Sequence, residues 1–301
     1  MSNSADEIGG GAPPQSDPAG VSGGSDADDR NRLDDRPASE VDPATADAEN
    51  HRQYYFAQWL LQIRLAISFL TIFPIGPANA AASADVAASF GWFPLVGFGI
   101  GSMLCALDWL LTPWMGDALR TVLIVLILTA VSGALHLDGL ADTADALGAG
   151  YNRERALEIL RDSSIGSFGA IALFFVIGFK VIAIADASGS RRYAMIYMAP
   201  GLGRWAMVAV ASGLDYLRAE GAGAAMLSRD RRRNLRIATV TAIVALAPLV
   251  MLHALRACVI AAAVTLALYA FYRRWLGGVT GDLIGAAGEL VETAVLIALA
   301  G

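Results

Sequence analysis

Residues 118–135 read ALRTVLIVLILTAVSGAL and run directly into His136-Leu137-Asp138-Gly139-Leu140-Ala141-Asp142-Thr143-Ala144-Asp145. The first part is apolar enough to cross a bilayer, which takes roughly 20 residues of helix. The second part then delivers three carboxylates within eight residues. On a helix, Asp138, Asp142 and Asp145 stand at i, i+4 and i+7 and share a narrow stripe of one face. Three like charges so placed repel unless a cation joins them. A divalent metal or a metal-bound phosphate is therefore the expected guest. The plainer alternative is a solvated helical turn whose acids face water.

The composition places that stretch in a membrane protein. Of the 301 residues, 55% are hydrophobic, and the mean hydropathy is +0.51. Soluble domains run at roughly 45–50% apolar. Charge is unevenly spread. Residues 1–50 hold 12 acids against 3 Arg, which leaves 16 acids and 19 basic residues for the other 251. The acidic pI thus describes the first 50 residues more than the body. Those 50 residues are rich in Gly, Ser, Pro, Asp and Ala. They are expected to form a disordered tail, a spacer or docking segment, ahead of one integral membrane domain over 51–301. They lack the basic and apolar regions of a signal peptide. Cys105 and Cys258 lie in apolar runs and read as small hydrophobes, with neither a disulfide framework nor a zinc site indicated.

The expected fold is all-α: a polytopic integral membrane helical bundle of about seven spans. These are placed at residues 90–111, 118–137, 166–187, 194–213, 237–255, 257–274 and 283–300. An N-terminal helix over 54–75, interrupted by Arg64 and closed by Pro74, either lies in the interface or spans. Gly97, Gly99 and Gly101 favour close helix packing. Alternating sides put loops 138–165, 214–236 and 275–282 on one face. With the helix-end arginines, that face carries 11 Arg, against Arg120, Arg191, Arg192 and Arg256 opposite. By the positive-inside rule the 11-Arg face, and the Asp stripe with it, is expected to be cytoplasmic.

Other charged residues follow. Arg161-Asp162-Ser163-Ser164-Ile165-Gly166 leads into a span; it can cap the helix, attract phosphate beside Arg161, or do both. Lys180 is the only lysine in the chain and sits in an apolar run, and Arg204 lies inside the next one. Such charges are costly unless paired or lining a wet cavity, although Lys180 could also snorkel. The last span opens with Gly277-Gly278-Val279-Thr280-Gly281-Asp282 and carries Glu289 and Glu292. Asp282 and Glu289 share a face; the glutamates could bind metal, take a proton or neutralise Arg204 or Lys180. Arg218 and the Arg-rich run 229–233 occupy a loop that anchors topology or gathers an anionic substrate. This inventory suits transfer of a phosphoryl-containing group with Mg²⁺.

Three stretches carry a family resemblance: residues 133–145, residues 160–169, and residues 277–282 with 285–292. In wording, order and spacing they resemble the cobalamin synthase family, the adenosylcobinamide-GDP ribazoletransferases. Residues 69–74 and 93–97 fit as well, and the likeness covers about 56–301. Lys180 and Arg204 match a lysine and an arginine of the pattern; Ala146 departs from it, standing where Gly is commoner. The resemblance implies a Mg²⁺-dependent enzyme of the cytoplasmic (inner) membrane that joins adenosylcobinamide-GDP to α-ribazole or its 5′-phosphate and releases GMP. On that basis Asp138, Asp142 and Asp145 are the expected Mg²⁺/diphosphate ligands, with Asp282 and Glu289 as further candidates. Arg161, Lys180 and Arg204 are candidate charge partners. Asp162, Ser163, Arg218, Gly278, Thr280 and Gly281 belong to the phosphate-binding surroundings. His136 either orients a carboxylate, receives a proton, or is simply a satisfied helix-end histidine. Expected partners are the two substrates and the lipid bilayer, with self-association or contact with other cobalamin-assembly enzymes as further options, and no nucleic acid.

Two rivals stand beside this reading. A CDP-alcohol-type membrane phosphotransferase expects Ala-Arg after its first Asp-Gly, and here Leu140-Ala141 follows instead. An ion-coupled transporter could use Lys180, Arg204, Glu289 and Glu292 as a relay, but such folds often carry internal repeats and none is evident.

Overall fold

The apolar run that opened the sequence does not cross as one helix. A computed structural model describes residues 43–76, 83–162, 164–218, 230–249 and 251–300. In it, helix α4 (Asp117–Val131) stops, and α5 (Leu135–Leu147) sets off at 87° to it. The corner is Ser132-Gly133-Ala134. Gly133 and Ala134 are consecutive left-handed residues, at φ 59° and 58°. Glycine adopts that conformation freely, whereas alanine pays for it, so the corner is held by its surroundings. The corner is what aims the Asp stripe.

The chain divides after Asn50. Of the first part, only residues 43–50 are described, as the opening of α1 (Pro43–Leu70); the rest of the expected tail, 1–42, lies outside the described residues. The body continues with α2 (Ser83–Ser89), a 3₁₀ turn (Phe90–Trp92) and α3 (Phe93–Leu111). After α4 and α5 come α6 (Arg153–Ile159), α7 (Ser167–Ala185), α8 (Gly189–Gly213), α9 (Arg231–Leu246), α10 (Met251–Trp275) and α11 (Gly281–Ala300). Among the described residues, five helices are long and apolar enough to cross a membrane, and six spans result if the bent α4–α5 pair counts as one. The all-α polytopic bundle stands, with fewer such helices than the seven expected.

The difference lies mainly in residues 237–255. Helix α9 begins earlier, amid arginines, and ends at Leu246 ahead of Pro248; residues 251–255 already belong to α10. Even so, α9 runs antiparallel along α8. Ser212 donates to the Arg231 carbonyl at 3.2 Å, Trp205 to Thr239 at 3.1 Å and Tyr197 to the Ala245 carbonyl at 3.1 Å. It therefore carries the chain from one end of the bundle to the other. Helix α1 is not among the five. Its Phe69 stacks on Phe93 and its Gln62 accepts from Trp92, both where α3 begins.

Helices α8 and α11 form the interior, and α10 lies outermost: 78%, 72% and 17% of their apolar windows are buried. Of the three expected packing glycines, Gly97 and Gly101 meet the α8 backbone at Pro200 and Tyr197, while a Cβ on Gly99 would point into open space. At the end of the bundle opposite the Asp stripe, buried Asp108 receives Arg120 at 2.9 Å and a two-pronged Arg192 at 2.7 and 3.0 Å. Arg192 also donates to Thr121 and to the Ile184 carbonyl. This knot ties α3, α4, α7 and α8 together. Sequence reading, which counted Arg120 and Arg192 only as loop charges, missed it.

Candidate functional site

The stripe on α5 meets the start of α11 because Gly139 allows it. A Cβ at that position would lie 2.8–2.9 Å from Asp282 backbone atoms, so a side chain there would push the helices apart. With the gap closed, Asp138, Asp142 and Asp282 face one pocket of about 430 Å³, together with Leu160, Arg161, Asp162 and Arg218. The carboxylates of α5 and the far end of the chain, 144 residues apart from Asp138 to Asp282, thus share a cavity.

Two loops hold the wall formed by Asp282. Residues 214–218, after α8, pair with residues 277–280: Leu217 N–H donates to Val279 O and Val279 N–H to Asp215 O, both at 2.8 Å. Gly278 lets the two segments approach, since a side chain there would strike the Asp215 carbonyl. Thr280 donates to Asp282 at 3.2 Å and receives the Leu283 N–H, capping α11. Arg218 bridges Asp282 and the Leu160 carbonyl, each at 2.6 Å. Asp162 accepts from Ser164, whose hydroxyl and backbone N–H hold its carboxyl below the ordinary range. Ser163 lies outside the described residues.

Asp145 is used differently. Its two oxygens accept the Gly166 and Gly169 N–H groups at 2.8 and 2.9 Å, capping α7 from a neighbouring helix. Both glycines are required, since a Cβ at either would collide with that carboxylate. Asp145, expected as a ligand, is thus engaged at a helix terminus and does not line the pocket. It still adds negative charge beside Asp142, as do Asp138 and Asp282.

Glu289, Lys180, Arg204 and His136 also fall elsewhere. Lys180 donates to Glu289 and Glu292, and Arg204 donates to Glu292. His136 Nδ1 stands 3.4 Å from Arg204. All five residues are at most 4% exposed. Two cations face two carboxylates, so the group neutralises itself, as one alternative for Glu289 and Glu292 had it. None of these residues lines the pocket, because the helical register buries Glu289 two turns below Asp282 against Lys180 on α7. The sequence could not separate them, since residues seven apart share a face at whatever depth.

The pocket suits a divalent cation by its chemistry. Its donors are hard carboxylate oxygens. Asp138, Asp142, Asp162 and Asp282 face only Arg161 and Arg218, an excess of two negative charges. Among the described residues, no group of three or more His, Cys, Asp or Glu side chains is placed to hold a metal ion, and the pocket offers its carboxylates in an open arrangement. An open arrangement is what Mg²⁺ uses, taking one or two carboxylates and completing its shell with water and substrate phosphate.

Residues 62–300 match the model of the cobalamin-5-phosphate synthase family. Among similar proteins is an adenosylcobinamide-GDP ribazoletransferase from Syntrophobacter fumaroxidans, 38% identical over 238 residues, covering 78% of this chain and 96% of the relative. Proteins of the same name from Desulforamulus reducens and Klebsiella pneumoniae (strain 342) are 36% and 34% identical. Each alignment covers 78% of this chain, and 94% and 97% of the respective relative. No solved structure matches. With family match, near full-length relatives and a multi-pass helical body in agreement, the chain belongs to the cobalamin-5-phosphate synthase family of membrane transferases.

Proposed function

We propose that this protein joins adenosylcobinamide-GDP to α-ribazole or α-ribazole 5′-phosphate, forming adenosylcobalamin or its 5′-phosphate and releasing GMP, with Mg²⁺ held at the acidic pocket. The observation that carries the reading is the convergence of Asp138, Asp142 and Asp282 with Arg161 and Arg218 around one open cavity. A diphosphate brings negative charge, which neither the carboxylates alone nor the arginines alone would accommodate. One or two of Asp138, Asp142 and Asp282 would hold the metal, with water and substrate phosphate completing its shell; when bound it supplies charge neutralisation for the phosphate oxygens.

The remaining chemistry belongs to the chain. A ribose hydroxyl of the ribazole attacks the phosphorus on the cobinamide side; the new P–O bond forms as the bond to GMP breaks. Arg161 and Arg218 bind phosphate oxygens and stabilise charge growing on the departing phosphate. Arg218 is positioned for this by its bonds to Asp282 and the Leu160 carbonyl. A pocket carboxylate that the metal leaves free accepts the hydroxyl proton. The site opens to the cytoplasm, where nucleotide substrates are; the arginine excess in the loops at that end of the bundle supports this side.

The test is GMP release by purified protein given adenosylcobinamide-GDP and α-ribazole. Release is expected only with both substrates and Mg²⁺, and lost on chelation. Undiminished release in chelator would remove the metal from the reading, and no release under any divalent ion would remove the reaction.

A further inference from the structure

We propose that the groove between α3, α8 and α9 is a binding site for one anionic phospholipid, its headgroup phosphate held by Arg233 and Arg236 and an acyl chain laid along the apolar wall. The groove encloses about 870 Å³, inside the range of roughly 300–1,000 Å³ found for built ligand sites. Its wall is formed by Leu95, Phe98, Gly99, Tyr197, Val240 and Val244. A second cavity of about 530 Å³ shares Ser102 and Tyr197 with it and continues to Cys105 and His253. The apolar track is therefore far longer than a free phosphate would need.

Charge is confined to one end. Arg233 and Arg236 are three residues apart on one face of α9, and both line the groove. Among the described residues neither is paired with a carboxylate; Arg236 donates only to the Arg232 carbonyl. This differs from Arg231, which meets Asp215 at 3.0 Å, and from Arg218, which is committed to Asp282. Two unpaired guanidiniums above an apolar track complement a phosphate above a hydrocarbon chain. Trp59 and Trp92, with ring centroids 6.3 Å apart, stand in the same groove. Tryptophan is the residue type that settles at headgroup level. On the open side, Val240 and Val244 are 60% and 66% exposed, so a chain can enter sideways from the bilayer. The groove shares no lining residue with the acidic pocket.

The experiment uses the full chain, delipidated in neutral detergent and offered phosphatidylglycerol or phosphatidylcholine, with bound lipid counted by native mass spectrometry. One phosphatidylglycerol should be retained in preference to phosphatidylcholine. The R233Q/R236Q double variant should weaken retention about 25-fold, since each Arg facing an anionic lipid surface contributes about fivefold. Gly99→Leu adds its side chain in open groove space. It should lower retention of both lipids with an unchanged melting temperature. Equal retention of both lipids by wild type and both variants would overturn the proposal. So would displacement of the lipid by inorganic phosphate, or a dimer that Gly99→Leu dissolves without altering the lipid count.

Discussion

The acidic pocket and the charged cluster beneath it are built from the same residue types, yet they are opposites. In the pocket, Asp138, Asp142, Asp162 and Asp282 outnumber Arg161 and Arg218 and remain at least partly accessible. In the cluster, Lys180 and Arg204 are balanced by Glu289 and Glu292, all buried. An unbalanced, accessible set attracts a charged guest; a balanced, buried set cross-links helices. Deep in a bundle, ions must find partners within the protein, because removing them from water costs several kcal/mol each. The proposed function places chemistry in the first group, while the second joins α7, α8 and α11.

Substitutions can break that contrast. The largest effect is expected in the pocket. Asp142→Asn or Asp282→Asn should reduce kcat by about 100-fold or more while leaving thermal unfolding in detergent little changed. If Asp142→Asn kept full turnover, the assignment of chemistry to the pocket would fail. The cluster should respond the other way. Glu292→Gln leaves Lys180 and Arg204 facing a single carboxylate and should cost roughly 3–5 kcal/mol of stability, read as a lower unfolding midpoint. A Lys180→Met/Glu289→Leu double variant removes one charge of each sign and should cost much less. Activity lost with stability intact in Glu292→Gln would move the cluster into the catalytic machinery.

The third test concerns Asp145, which belongs to the stripe by sequence and to a helix cap by geometry. Asp145→Ala should lose about 1–2 kcal/mol, as deletion of a cap does, with turnover of the folded fraction nearly unchanged. Asp145→Asn, which keeps one accepting oxygen, should lose less. An Asp145→Asn variant as inactive as Asp142→Asn would restore Asp145 to the metal site.

How much of this was legible in the residues follows from the range of each signal. Hydropathy is a local sum, so the apolar helices α3, α7, α8, α10 and α11 stood out. The 87° corner did not, because Ser132-Gly133-Ala134 is too short and carries no charge to interrupt the hydropathy of its flanks, and only backbone torsion marks it. Gly133 was the available hint; a left-handed alanine beside it gives none. Helix α9 was displaced because its arginine-rich start reads as loop, whereas packing along α8 makes it helix. Asp108 was overlooked since a lone acid near a span end looks like an ordinary boundary, until Arg120 and Arg192 are brought onto it.

The sequence by itself determined that the chain is a helical membrane protein, that the acids of its membrane body concentrate at residues 138–145 and near Asp282, and which family it resembles. These follow from composition, helical periodicity and motif wording, all properties of neighbouring residues. Only the tertiary structure decided which charges meet. Asp282 joins Asp138 and Asp142 because Gly139 lets α5 touch α11. Asp145 turns to the α7 terminus because its unpaired N–H groups need an acceptor. Glu289 and Glu292 are claimed by Lys180 and Arg204 at a depth where a charge must be neutralised by the protein itself. Periodicity tells which face of a helix a residue occupies, but partner and depth come only from packing that helix against the others.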